Sequence, residues 1–169
     1  DHANFFKAFS QLPEDLKNKI EIILAGSNMV SENKDLNKLV NKYNIDSPIE
    51  FLGFQSDINL IIRSLDLIVI PSRSEGFSNV LLESMLCRVP CISTNVGDAK
   101  YIIGDYGWVV PSGNSKMLKE KIEEVINLFN NKDYWGKITE GCRNRVIENF
   151  SIKLMVEKYS SIWENLISK

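Results

Sequence analysis

Glu75 and Glu83 are the residues whose type and setting most invite chemistry in this sequence. They flank the passage from an apolar strand into a helix, Pro71-Ser72-Arg73-Ser74-Glu75-Gly76-Phe77-Ser78-Asn79-Val80-Leu81-Leu82-Glu83. Ser78 suits the N-cap, which puts Phe77 at N′ and Leu82 at N4, the pair that forms a hydrophobic staple. The amides of Asn79, Val80 and Leu81 then lack helical partners and carry the positive end of the helix dipole. Such amides hold a phosphate without a charged side chain. Gly76 lets backbone approach a ligand closely. A carboxylate accepts paired hydrogen bonds from a vicinal diol, so the two glutamates could flank a ligand that carries phosphate and sugar hydroxyls. An ordinary capped helix with two solvated glutamates accounts for the same residues, and spacing alone weighs the two readings equally.

The elements around this segment alternate. Residues 2–12 place Phe5, Phe6, Ala8, Phe9 and Leu12 at helical spacing and stop before Pro13. Residues 20–25 are an apolar strand closed by Gly26, and residues 31–43 a helix with Leu36, Leu39, Val40 and Tyr43 on one stripe. Residues 49–52 form a strand ending at Gly53-Phe54, followed by a helix capped at Ser56. Residues 67–70 are an uninterrupted apolar strand, a pattern of parallel strands covered on both faces. A helix over residues 79–86, a strand over 89–93 and a short strand over 108–110 follow. The remainder is helical, with one stripe of Leu118, Ile122, Val125, Ile126 and Phe129 and another of Met155, Tyr159, Ile162, Trp163 and Leu166. This order predicts one α/β domain, a Rossmann-like doubly wound parallel sheet with C-terminal helices. Ligands of such sheets sit beyond the carboxyl ends of the strands, which directs attention to Gly26, Gly53-Phe54, residues 72–80 and residues 94–98.

Bulk composition narrows the function. Twenty Lys+Arg against 22 Asp+Glu leave a net charge of -2, which argues against a surface built for nucleic acid. Cys87, Cys91 and Cys142 have no metal-ligand spacing, and His2 is the single histidine, so no metal site is expected. The cysteines read as reduced, buried thiols of a cytoplasmic protein. No apolar run nears the roughly 18 residues of a membrane span. Asp1 leads straight into Phe5, Phe6 and Phe9, which reads as the interior of a longer polypeptide.

The segment Glu75-Gly76-Phe77-Ser78-Asn79-Val80-Leu81-Leu82-Glu83 resembles the E-x7-E motif of the family 4 (group 1) retaining glycosyltransferases. Phe51-Leu52-Gly53-Phe54 is similar to the F-L-G-F/Y turn of that family, and Leu65 to Ser72 to its A-D-L-x-V-x-P-S strand. Glu83 to Pro90 resembles E-A-M-A-C-G-x-P, and Gly107 to Pro111 resembles G-x-x-V-x-P. The resemblance implies the donor-binding C-terminal half of a GT-B fold, with the acceptor-binding N-terminal domain and the first strand of this domain lying outside residues 1–169. It implies that Glu83 binds ribose hydroxyls and that Glu75, the catalytic-site carboxylate, contacts the transferred sugar. Gly76, Phe77, Ser78, Asn79 and Val80 would hold sugar and diphosphate, Gly53 and Phe54 border the base, Gly26 lines the floor, and Arg73 adds charge. The donor would be a UDP- or GDP-linked hexose or N-acetylhexosamine, with no metal and no further cofactor. The acceptor would be a glycan or lipid-linked sugar in polysaccharide biosynthesis at the inner face of the membrane, reached through the missing domain.

Two departures stand out. The Arg and Lys that the family directs at the diphosphate fall before Asp1, so the isolated piece is expected to be inactive. Val96-Gly97-Asp98-Ala99-Lys100 replaces the usual V-G-G-x-x-E, and Asp98 with Lys100 reads as a surface ion pair. Lys7 reads as a solvated helix residue, and His2 as packing at a helix start. A GT-B sugar-nucleotide epimerase domain, or a nucleotide-binding module without transfer activity, are the alternatives.

Overall fold

The computed structural model describes residues 1–167. The apolar runs become strands β1 (Ile22–Ala25), β2 (Ile49–Gly53), β3 (Ile68–Ile70), β4 (Cys91–Thr94) and β5 (Trp108–Val110). Helices α1 (His2–Ser10), α2 (Glu14–Lys17), α3 (Lys34–Lys42), α4 (Ile58–Ile62), α5 (Asn79–Leu86) and α6 (Ala99–Ile103) are interleaved with them. Helices α7 (Ser115–Phe129), α8 (Lys132–Phe150) and α9 (Ile152–Ile167) follow. Every strand pairing is parallel, as the intervening helices require.

The expected α/β alternation is present, but the expected single sheet is divided. β1 pairs with β2, β3-β4-β5 form a second sheet, and no pairing joins β1 to β3. Helices cover two faces. α1 packs on α3 and α7, while α4, α6 and α8 pack around α5. The first layer buries Phe6, Phe9, Leu36, Leu118 and Val125 against Ile22 and Ile92. The second buries Leu81, Met85, Ile102, Ile103 and Cys142. Each such side chain contributes about 1.5–3 kcal/mol by leaving water.

Local chemistry sets the helix starts. The Asp1, Asn33, Asn114 and Asn131 side chains accept amide hydrogens at the N-termini of α1, α3, α7 and α8. α4 begins after Asp57 rather than Ser56, and without a side-chain cap bond. The stripe Met155, Tyr159, Ile162, Trp163 and Leu166 exists on α9 but faces outward, 51% to 66% exposed. Helical spacing puts residues on one face; it does not supply a neighbour to cover them. Among the described residues no helix is long and apolar enough to cross a membrane.

The cysteines are unbonded; Cys91 and Cys142 are buried, while Cys87 is only partly so. Burial pushes the Cys91 thiol well up, with Cys142 adding to the effect, and pushes Cys142 up to about 12. Because the folded values exceed those of the unfolded chain, the stability from keeping these thiols neutral is complete below about pH 8.5 and declines as pH rises towards the folded values. At pH 8 a disulfide-exchange dye should label Cys87 in the native chain, and Cys91 and Cys142 only after unfolding in urea. Fast labelling of all three in the native chain would contradict this core.

Candidate functional site

The loops at the carboxyl ends of the strands are tied together by backbone bonds. Gly26, with φ +133°, donates its N–H to the Gly53 carbonyl at 2.7 Å. Gly53, with φ +63°, donates in turn to the Met29 carbonyl at 2.7 Å. These left-handed conformations favour glycine, so the two positions fix how the β1 and β2 loops meet. Phe54 projects beyond them, 75% exposed.

The β3–α5 loop is held from three sides. Thr94, the last residue of β4, donates its hydroxyl to the Ser72 carbonyl at 2.5 Å, and Ser112 donates to the same oxygen at 3.2 Å. Asp98 N–H donates to the Gly76 carbonyl at 3.1 Å. Gly97 makes this approach sterically feasible: at φ +51° a Cβ would lie 2.2 Å from the Gly76 oxygen and 2.5 Å from that of Glu75. Within the loop, the Ser72 hydroxyl donates to Glu75 Oε1 at 2.7 Å.

Arg73 is not a lone solvated cation. Its Nε donates to Asp1 Oδ2 at 2.7 Å, while Asp1 Oδ1 caps α1 through Asn4 N–H. Asp1 is thereby joined to the loop that carries Glu75. His2 is half-buried in the first turn of α1, and burial lowers its imidazole. Lys7 is exposed on the same helix.

At the start of α5, Ser78 occupies the N-cap position but makes no side-chain cap bond. No acidic residue stands in the first turn either. The expected cap interaction is thus absent, and the amides of Asn79, Val80 and Leu81 carry the open positive end of the helix. Phe77 packs edge-on against Phe150, with ring centres 5.9 Å apart. Glu83 is half-buried, five residues past Ser78 and so about 7.5 Å further along the axis. Glu75 and Gly76 are exposed before the helix, Asn79 and Val80 on its first turn.

Asp98 and Lys100 form no ion pair among the described residues. Asp98 takes the cap position of α6, and residues two apart on a helix do not face each other. The sequence directs attention to residues 94–98 as a loop beyond a strand end, but assigns Thr94 and Gly97 no part in building the site, and it does not single out Ser112. A hydroxyl ending a buried strand and a glycine just beyond it were the available signals. No cluster of three or more His, Cys, Asp or Glu suited to a metal occurs among the described residues.

Gly97 and Gly113 separate conformation from contact. Both are left-handed, at φ +51° and +70°, but a Cβ on Gly113 meets nothing within 4 Å. Gly113→Ala should cost about 1–2 kcal/mol from its backbone alone. Gly97→Ala should cost at least about 1 kcal/mol more, because it strikes two carbonyl oxygens. Equal losses in urea unfolding would show that the loops are not in contact.

The family model described as glycosyl transferases group 1 matches residues 1–141. The chain is 27% identical to N-acetyl-alpha-D-glucosaminyl L-malate synthase of Bacillus anthracis over 95% of this chain and 41% of that protein. Its fold matches Anabaena HepE in complex with UDP-glucose at TM-score 0.77 and 23% identity, covering 100% of this chain and 45% of that one. It also matches the C-terminal domain of LpcC, a group 1 family glycosyl transferase of Francisella tularensis. That match has TM-score 0.66 and 25% identity, covering 89% of this chain and 80% of that domain. The chain thus spans less than half the length of that Bacillus anthracis protein. With a matching fold and a family model covering most of its residues, the chain belongs to the group 1 glycosyl transferases.

Proposed function

We propose that these residues are the donor-binding domain of a retaining glycosyltransferase that uses a UDP- or GDP-linked hexose or N-acetylhexosamine. The observation that carries this reading is the uncapped amino end of α5, with Glu75 before it and Glu83 one turn inside. The similar HepE is known with UDP-glucose, which supports a nucleotide sugar as the ligand class.

In this reading the amides of Asn79 and Val80, with Gly76, Phe77 and Ser78 backbone, receive the diphosphate and part of the sugar. As the bond from the anomeric carbon to the diphosphate breaks, negative charge grows on the leaving oxygen, and the fixed helix dipole offsets it without reorganising. The acceptor's hydroxyl oxygen bonds to the anomeric carbon on the same face, and its proton passes to the departing diphosphate oxygen. Glu83 accepts hydrogen bonds from the ribose diol, and Glu75, steadied by the Ser72 hydroxyl, accepts from the sugar beside the reacting carbon. Gly53 and exposed Phe54 border the base, and Gly26 forms the floor. Arg73 brings positive charge that Asp1 already partly offsets. No metal or further cofactor takes part.

The acceptor, a glycan or lipid-linked sugar of polysaccharide synthesis, is bound by an N-terminal domain outside these residues. Transfer therefore needs that domain, and residues 1–169 alone bind donor without turnover. The whole enzyme works in the cytoplasm, touching the membrane through the acceptor domain.

Calorimetric titration with UDP and UDP-glucose tests the assignments. Glu83→Ala should weaken UDP itself by about tenfold or more, the worth of hydrogen bonds to a charged group. Glu75→Ala should leave UDP nearly unchanged and remove most of the preference for UDP-glucose. UDP affinity unaltered by Glu83→Ala would overturn the ribose assignment.

A further inference from the structure

Helix α5 is joined to α8 at both ends, and by different chemistry. At the carboxyl end of α5, Arg143 Nη1 donates to the Leu86 carbonyl at 2.7 Å, and Arg88 Nε donates to Glu140 Oε2 at 2.8 Å. At the amino end, the ring of Phe77 meets that of Phe150, the last residue of α8. The two helices therefore run antiparallel. Each carries a row of side chains at every fourth position, the spacing that keeps them on one face. Leu81 and Met85 continue the row that starts at Phe77, and Ile138, Cys142 and Val146 lead up to Phe150. Those five are buried in one cluster, whereas Phe150 is half-buried and Phe77 exposed. Phe77 against Phe150 is thus the last rung of this packing, and it stands beside Gly76 on the loop that carries Glu75.

Phe150 is itself held in place. Tyr101 of α6 meets it edge-on, with ring centres 5.5 Å apart and planes at 87°. The Arg145 guanidinium lies over the same ring, 5.9 Å from its centre. Arg145 also donates Nε–H to the Ile102 carbonyl at 2.7 Å and Nη2–H to that of Tyr101, which ties it to α6. Gly104 leaves room for this guanidinium: a Cβ there would lie 2.5 Å from Arg145 Cζ. The other end of α6 holds the Gly76 carbonyl through Asp98 N–H. The contacts close a circuit from Gly76 through Phe77, Phe150 and α6 back to Gly76.

That circuit matters because α5 begins without a side-chain cap bond, the usual device for fixing a helix start. We infer that Phe150 is a positioning residue for the donor site, acting through Phe77 to hold the turn that presents Gly76 and the first amides of α5. The inference rests on the donor reading given above. Its physical content is preorganisation: a turn already braced loses less freedom when a diphosphate binds to it. The effect falls on the phosphate-bearing part of the ligand, not on the ribose and base, which Glu83, Gly53 and Phe54 receive in that reading.

Amide NMR titrations with UDP and with uridine, on the unsubstituted chain and its variants, provide the test. Phe150→Leu keeps an apolar side chain but loses the edge-on contact. It should weaken UDP about threefold to tenfold, the worth of one aromatic pair, and leave uridine unchanged. Phe77→Leu removes the same contact from the loop side and should do the same. The double variant should bind UDP no more weakly than the worse single variant, because one contact is lost either way. Phe150→Tyr retains the ring and should keep UDP affinity within about twofold. Ile138→Ala, at the far end of the same row, should lower the Tm more than Phe150→Leu does and leave UDP affinity unchanged. Equal weakening of UDP and uridine, effects of the two Leu variants that multiply, or UDP affinity that falls with Tm in Ile138→Ala would each overturn the inference. UDP binding indifferent to Phe150→Leu overturns this inference alone. An unsubstituted chain that binds no UDP overturns the donor reading and this inference together.

Discussion

The carbonyl oxygen of Ser72 takes hydroxyls from both Thr94 and Ser112, and the placement of the β3–α5 loop depends on that junction. Three strands thereby fix one another's loops. The junction sets where Ser72 turns its own hydroxyl, which orients Glu75, and where the chain enters α5. Gly97 completes it, because a side chain there would push the β4–α6 loop off the Glu75 and Gly76 carbonyls. A carboxylate on an exposed loop is poorly positioned by itself. Here it belongs to a loop bonded to Thr94 at the end of buried β4 and to Ser112 just beyond β5.

Helices α1, α3, α7 and α8 satisfy an early amide with an Asp or Asn side chain, whereas α5, like the short α2, α4 and α6, has no side-chain cap bond although a serine stands in position. A missing cap costs about 1 kcal/mol. The open amides face the same mouth as Glu75, so the sacrifice of helix stability coincides with the place where a diphosphate gains most from the dipole.

Much of this was legible in the sequence. The helix expected over residues 79–86 is α5 itself, and the apolar runs 20–25 and 67–70 mark β1 and β3 to within two residues, because both signals are local. The alternation of types gave the fold class for the same reason. What escaped depends on residues far apart in the chain. Arg73 finds Asp1, 72 positions away, and Thr94 finds Ser72, 22 positions away, and no spacing rule announces either. The continuous apolar run of β3 was read as covered on both faces, yet all three of its residues are only half-buried. α9 fails in the same way, with a correct stripe and no partner over it. Ser78 shows that residue type can identify a cap position without fixing whether its bond is made.

The central claim, that the α5 amino end receives the diphosphate of a nucleotide sugar, is tested most directly by amide NMR with UDP and with uridine. UDP should shift the resonances of Gly76, Asn79, Val80 and Leu81, with Glu83 following, whereas uridine should spare the first four and still perturb Glu83. UDP-induced shifts that spare the α5 amides, or α5 amides that respond equally to uridine and UDP, would contradict the account.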